Sequence, residues 1–306
     1  MTRKGNTDTS SYDVKEGHYL VGNLGIYKVW EFLGEGSYGK VAKCTKLGGH
    51  EFCAIKIIKR DSAGLREMEL MKRIKHLDPE ENHLIKMYEC FTFQNVTCIV
   101  YELLAVSLHD IVWKNSLPSH LCNIRAMAQH LLKALRALKS MGLAHCDIKL
   151  DNIMLADPGS INIKLIDFGM ALEAKKLSVG TVIQVTPFRA PEVILGLLMD
   201  ESVDMWALGV VLASAYFGEF PFPSETEYET IRAMVTQLPN PLASDSSSAS
   251  QSSDGSKTTS VSDVSSVESS HSSSSSSSSG SIWLNPNHQW HHPTLVPAAH
   301  LVDPTV

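Results

Sequence analysis

The chain has 306 residues, 43% of them hydrophobic and 20% charged, and carries a formal net charge of −6. These proportions exclude collagen-like, wholly disordered and multi-span membrane proteins and leave room for about two domains of ~150 residues. Without clustered Lys and Arg to neutralise phosphates, nucleic acid is not an expected partner.

Residues 1–11 are polar and lack the apolar stretch of a secretory signal. No apolar run reaches the ~20 residues that cross a membrane, so no membrane partner is expected and the reading is an intracellular protein. The six cysteines, from Cys44 to Cys146, lie in apolar runs without C-x-x-C or zinc-site spacing and read as buried thiols.

Residues 1–24 read as a flexible segment, with order from near Gly25. Residues 26–59 alternate apolar and polar positions in β-rich runs broken by glycines, the pattern of an antiparallel meander. A helical period follows over 65–77, then two strands within 85–102. Between Ser119 and Met141, Leu121, Ile124, Ala128, Leu131, Leu135 and Leu138 form a helical stripe, and Gly142 supplies a stop. A second apolar helix is expected over 203–217. The expected fold is α+β in two lobes: a small antiparallel β lobe to residue 104, then a mainly helical lobe over 105–240, with a cleft between. From residue 241 the composition becomes serine-rich, including an unbroken run over 272–279, and such a tail cannot bury enough apolar surface to order itself. His288, His291 and His292 in that tail read as solvated rather than metal-binding, since no Cys or carboxylate completes a ligand set. No internal repeat is visible.

Gly34, Gly36 and Gly39 form a G-x-G-x-x-G-x-V pattern. By itself such a turn is more often only a hairpin, and the same glycines could open a dinucleotide fold, but here they join two strands, which lets bare backbone N–H groups close over phosphates. Lys56 ends the apolar run CAIK. A strand-end lysine pointing to solvent is the plain reading of that residue alone. Glu67 on the next helix can reach it and hold it against α and β phosphates; Glu69, on another face, is the competing partner.

The most specific segment is HCDIKLDNIML, residues 145–155. Asp147 is placed to accept and orient a substrate hydroxyl, Lys149 to stabilise a moving phosphoryl group and Asn152 to hold Mg²⁺. Asp167, before Phe168 and Gly169, supplies a carboxylate for the metal. Each could be a polar loop; their occurrence together in this order is the argument.

The set resembles a eukaryotic protein kinase domain, from about Tyr27 to Pro239, and extends to Ala190-Pro191-Glu192 and to Asp204, Trp206 and Gly209. Lys149 after Asp147 is the serine/threonine form. YECF, TCIVYELL, LKSMGLAHCDIK, DNIMLADP and RAPEVILGL resemble, more closely, the homeodomain-interacting protein kinases, relatives of the DYRK group, with a truncated C-terminal lobe. The resemblance implies ATP and Mg²⁺ as cofactors, protein substrates, transcription-regulator partners and nuclear or cytoplasmic residence. It makes Tyr101 the gatekeeper and Glu102 to Leu104 the adenine-binding hinge. Leu33, Val41, Ala54 and Met154 would enclose the purine, and Arg189 would favour proline after the phosphorylated Ser or Thr.

Three departures stand out. Cys146 replaces the arginine that clamps a phosphorylated activation loop. Val182 stands where the homeodomain-interacting kinases carry a loop tyrosine, leaving Thr181 and Thr186 as candidate phosphosites. Glu192 is expected to lack the arginine that pairs with it in helices beyond residue 238. The expected function is therefore a serine/threonine kinase, with an inactive nucleotide-binding pseudokinase as the rival.

Overall fold

Alternation in the first third becomes strands because β-branched and aromatic side chains on one face of a pleat bury together. A computed structural model describes residues 13–36, 39–59, 62–114 and 120–237. Strands β1 (Tyr19–Val21), β2 (Ile26–Gly36), β3 (Gly39–Lys46), β4 (Phe52–Lys59), β5 (Met87–Phe93) and β6 (Val96–Glu102) form one antiparallel sheet, ordered β1-β2-β3-β4-β6-β5. Val29, Ala42, Ile55, Cys98 and Val100 bury on one face as its core.

Order starts earlier than Gly25. Leu20 and Val14 are buried in the sheet core, and β1 pairs with β2 through Leu20 opposite Tyr27. Two apolar anchors in a polar stretch suffice because the neighbouring sheet supplies the rest of the contact.

Helix α1 (Ser62–Ile74) lies between β4 and β5, with Met71 and Ile74 buried and Leu70 half-buried against the core. Its expected extension to Leu77 is replaced by a tightened last turn, in which His76 and Leu77 donate to the carbonyls of Arg73 and Ile74.

The second lobe contains β7 (Val106–Ser107), α2 (Leu108–Lys114), α3 (Leu121–Ser140), β8 (Leu143–Ala144), β9 (Ile153–Leu155), β10 (Ile163–Leu165), β11 (Leu172–Glu173), α4 (Pro191–Ile194), α5 (Ser202–Phe217) and α6 (Glu227–Gln237). Leu131, Leu135 and Leu138 bury as the stripe requires, and Gly142, at φ 68°, ends α3 in the left-handed region. Leu121 and Cys122 are exposed, since the first turn of α3 projects past the surface it packs on; Cys90 is half-buried and the other four thiols are buried. All six are free, as expected of reduced thiols.

The fold is thus α+β, an antiparallel β lobe followed by a helical one, and α6 is the last described helix. One apolar core runs from α1 through the inner ends of β5 and β6 to α3 and α5. No described helix is long and apolar enough to cross a membrane. The serine-rich tail, its histidines and residues 1–12 lie outside the described residues.

Candidate active site

Sheet register assembles the upper wall. Gly34 opposes Val41, Val41 opposes Lys56 on β4, and Ala54 opposes Tyr101 on β6. Leu33 is half-exposed, Val41 and Ala54 are partly buried, and Tyr101 is buried at the inner end. A Cβ at Gly39 would stand 2.2 Å from the Ile57 carbonyl oxygen, so the chain requires glycine there. Gly34 has no atom within 4 Å of that position and leaves open space beside the strand; Gly36 pairs with Gly39 across the turn.

Lys56 does not point to solvent. Its ammonium lies 2.8 and 2.9 Å from the two Glu67 carboxylate oxygens and 2.7 Å from Asp167 Oδ1. Glu67 is 4% exposed, whereas Glu69 faces outward beside Lys72. Burial disfavours the Lys56 ammonium, and the two carboxylates more than offset it, holding the group above the ordinary lysine range. Burial also pushes Asp167 upward, but Lys56 and the Gly169 N–H outweigh it and keep the carboxylate ionised. A Cβ on Gly169 would lie 3.2 Å from both Asp167 Oδ1 and Glu67 Oε2, so the residue after Phe168 has to be small.

The second group gathers on the loop between β8 and β9. Asp147 Oδ2 accepts from Lys149 at 2.9 Å and from Asn152 Nδ2 at 2.8 Å, and Asn152 Nδ2 also donates to the Asp147 carbonyl. Asn152 is held by a short 3-10 turn, Leu150–Asn152, whose leucine is buried. Its Oδ1 and Asp167 Oδ2 accept no hydrogen bond among the described residues, which leaves two hard oxygen donors of the kind Mg²⁺ takes.

The two groups are stitched together through Ile166. Its N–H donates to the Asn152 carbonyl at 2.9 Å, and its own carbonyl lies 3.0 Å from His145 Nε2. His145 Nδ1 accepts the Asp147 N–H at 3.3 Å, so a neutral ring protonated at Nε2 satisfies both sides. The ring also meets Phe168 edge-on at 5.0 Å, and Phe168 is buried. Lys56, Glu67, Asp147, Lys149, Asn152 and Asp167 therefore belong to one connected arrangement.

Sequence reasoning named Asp204 as part of a motif without seeing its task. Its buried carboxylate accepts the N–H of His145 at 2.6 Å and of Cys146 at 2.9 Å. Cys146 itself adopts φ 65°, in the left-handed region. The Cys146 thiol is buried beside Ala144, Ile183, Ala190 and Val203, and burial pushes it up to about 12. Apolar packing thus joins this loop to the segment after Asp167.

Gln184 performs a related task. Its N–H donates to the Cys146 carbonyl, its Nε2 to the Val203 carbonyl, and its Oε1 accepts from Ala190 N–H. Arg189 donates to the Ile183 and Gln184 carbonyls and pairs with Glu227. Val182 is exposed and Thr181 and Thr186 are partly so. Glu192 has no ion-pair partner among the described residues.

On the hinge side, Leu104 is buried, and no backbone hydrogen bond among the described residues uses Leu103 or Leu104. Met154, partly buried on β9, opposes Ser107 on β7 and Lys164 on β10. Glu102 carries a contact that sequence reasoning missed: its carboxylate binds the buried ammonium of Lys164 at 2.7 and 2.9 Å.

Comparison with known proteins agrees with this geometry. The protein kinase domain profile matches residues 27–275. The chain belongs to the protein kinase family. The match extends past Pro239, the end that the resemblance implied. Homeodomain-interacting protein kinase 2 of Mus musculus is 38% identical over 235 residues, 74% of this chain and 20% of that protein. Serine/threonine-protein kinase ppk15 of Schizosaccharomyces pombe is 38% identical over 222 residues, 70% of this chain and 41% of that protein. Dual specificity protein kinase YAK1 of Saccharomyces cerevisiae is 35% identical over 222 residues, 70% of this chain and 27% of that protein. The chain covers well under two thirds of the length of these relatives.

Proposed function

We propose that this chain is a serine/threonine protein kinase that transfers the γ-phosphoryl group of MgATP to protein hydroxyls. The observation that carries the reading is the connection of Lys56, Glu67 and Asp167 to Asp147, Lys149 and Asn152 through Ile166 and His145. In this reading Leu33, Val41, Ala54 and Met154 enclose the adenine, and the unpaired backbone groups at Leu104, with Glu102 and Tyr101 beside them, bind its edge. Gly34, Gly36 and Gly39 cover the phosphates with backbone N–H groups. Lys56, fixed by Glu67, holds the α and β phosphates.

Asn152 Oδ1 and Asp167 hold Mg²⁺, which when bound neutralises charge on the phosphate oxygens. Asp147 accepts the substrate hydroxyl proton and aims the oxygen at phosphorus; Lys149, 2.9 Å from it, balances the charge that develops. Substrate choice follows from Arg189. Its guanidinium engages the Gln184 carbonyl, at a residue with φ 63°, so that carbonyl is withdrawn from pairing with a substrate N–H. Proline has no N–H to leave unpaired, which supports Ser/Thr-Pro sites. By family likeness the partners include transcription regulators and the setting is nucleus or cytoplasm.

Glu192 without an ion pair among the described residues favours the rival, an inactive nucleotide-binding scaffold. Incubation with γ-labelled ATP, Mg²⁺ and matched Ser-Pro and Ser-Ala peptides separates the two. The kinase reading expects label on the Ser-Pro peptide and little on Ser-Ala, both abolished by Asp147→Asn. Incorporation no greater than in the Asp147→Asn control would defeat the kinase reading.

A further inference from the structure

Lys164 is among the largest fully buried side chains of the molecule, on a strand that otherwise reads as apolar. A buried ammonium is tolerated only when it is paired. Its partners are Glu102, at 2.7 and 2.9 Å, and Glu80, at 2.6 Å. The two carboxylates differ in kind. The Glu80 side chain is 61% exposed, whereas that of Glu102 is 17% exposed and begins the hinge segment. Glu102 is fixed further by its neighbours: Oε1 accepts the Lys86 N–H at 2.7 Å, and its own N–H donates to the Lys86 carbonyl at 3.0 Å.

The other end of the clamp is equally fixed. Leu165, next to Lys164, donates to the His83 carbonyl and accepts from Ile85 N–H, so β10 is locked to the segment that enters β5. Two residues beyond Leu165 lies Asp167. Met154, expected against the purine, opposes Lys164 across the β9–β10 pair.

We infer that Lys164 is a positioning residue for the nucleotide base: by gripping Glu102 from β10, it sets the height of the hinge backbone relative to Met154 and Asp167. The inference rests on the kinase reading proposed above. Burial disfavours the Lys164 ammonium, and the hydrogen bonds it donates to Glu102 and Glu80 more than restore it, so the clamp is charged at neutral pH.

The test is calorimetric titration of the full chain with adenosine, which engages the base site without phosphates or metal, and in parallel with MgATP. Lys164→Met and Glu102→Gln are each expected to weaken adenosine by about tenfold, and the double variant no further than either alone, since both break one contact. Glu80→Gln is expected to leave adenosine affinity unchanged, because Glu80 is not part of the hinge. Should Lys164→Met fail to melt cooperatively, Glu102→Gln against Glu80→Gln gives the same comparison. Wild-type binding of both ligands with adenosine affinity unaltered in Glu102→Gln would overturn the inference alone, as would equal weakening in Glu80→Gln. Wild-type protein binding neither ligand would overturn the kinase reading and the inference with it.

Discussion

Both carboxylate oxygens of Glu67 reach the Lys56 ammonium, at 2.8 and 2.9 Å, from a helix that begins only after the strand carrying the lysine has ended. The pair gives the amine a second anchor, where Asp167 alone would leave it a single one. Glu67→Gln keeps the shape and removes the charge, while Asp167 still holds Lys56. We expect kcat for peptide phosphorylation to fall about a hundredfold through misplacement of the amine. The cooperative melt should be retained, and steady-state assays beside a thermal unfolding curve check both halves.

Gly169 offers a second handle on the same cluster. A methyl group there would approach Asp167 Oδ1 and Glu67 Oε2 to 3.2 Å, so one carboxylate has to give. Gly169→Ala is expected to lower kcat by roughly tenfold, the scale of a small misalignment at a positioned group. A single-turnover assay at saturating ATP reads this directly.

Asp204 anchors the catalytic loop from α5. Removing its carboxylate orphans the buried amides of His145 and Cys146, each costing about 1–3 kcal/mol. Asp204→Ala should therefore lose at least ~2 kcal/mol of unfolding free energy in urea titration. Asp204→Asn, which keeps one acceptor oxygen, should fall between it and the wild type.

His83 and His130 stack at 3.8 Å between ring centroids, tying the segment before β5 to α3. His83 Nδ1 faces the Ile163 carbonyl, while His130 Nδ1 is buried without a hydrogen-bond partner among the described residues. Burial, joined by the charges of Lys133 and, for His83, Lys164, lowers both below the ordinary histidine value of 6.5. A depressed folded pKa means the unfolded chain binds protons first. Stability is thus full above 6.5 and lost as pH falls below it toward the folded values. The melting temperature should drop on acidification through that window, and His83→Asn combined with His130→Gln should flatten the drop.

Much of this was legible in the sequence, for identifiable reasons. Leu131, Leu135 and Leu138 repeat with the helix period, and a stripe that must bury fixes α3. Asp147, Lys149 and Asn152 lie within six residues, so a local loop can bring them together. Glu67 rather than Glu69 reaches Lys56 because it lies on the buried face with Met71 and Ile74. Contacts across long separations were not legible. Glu102 and Lys164 are 62 residues apart and their pairing depends on which strands abut. Asp204 lies 59 and 58 residues from the His145 and Cys146 amides it accepts, and the φ of 65° at Cys146 is a backbone state that no residue pattern announces for a non-glycine. Strand β1 was missed because only Leu20 of its three residues is buried.

Lys56, Asn152 and Asp167 are expected to serve one triphosphate. The decisive measurement is ATP affinity with and without Mg²⁺, in the wild type and in Asp167→Asn. The wild type should bind ATP at least about tenfold more tightly with Mg²⁺, the scale of one charge-paired site, and Asp167→Asn should lose that gain. An equal Mg²⁺ gain in both proteins would contradict the shared site.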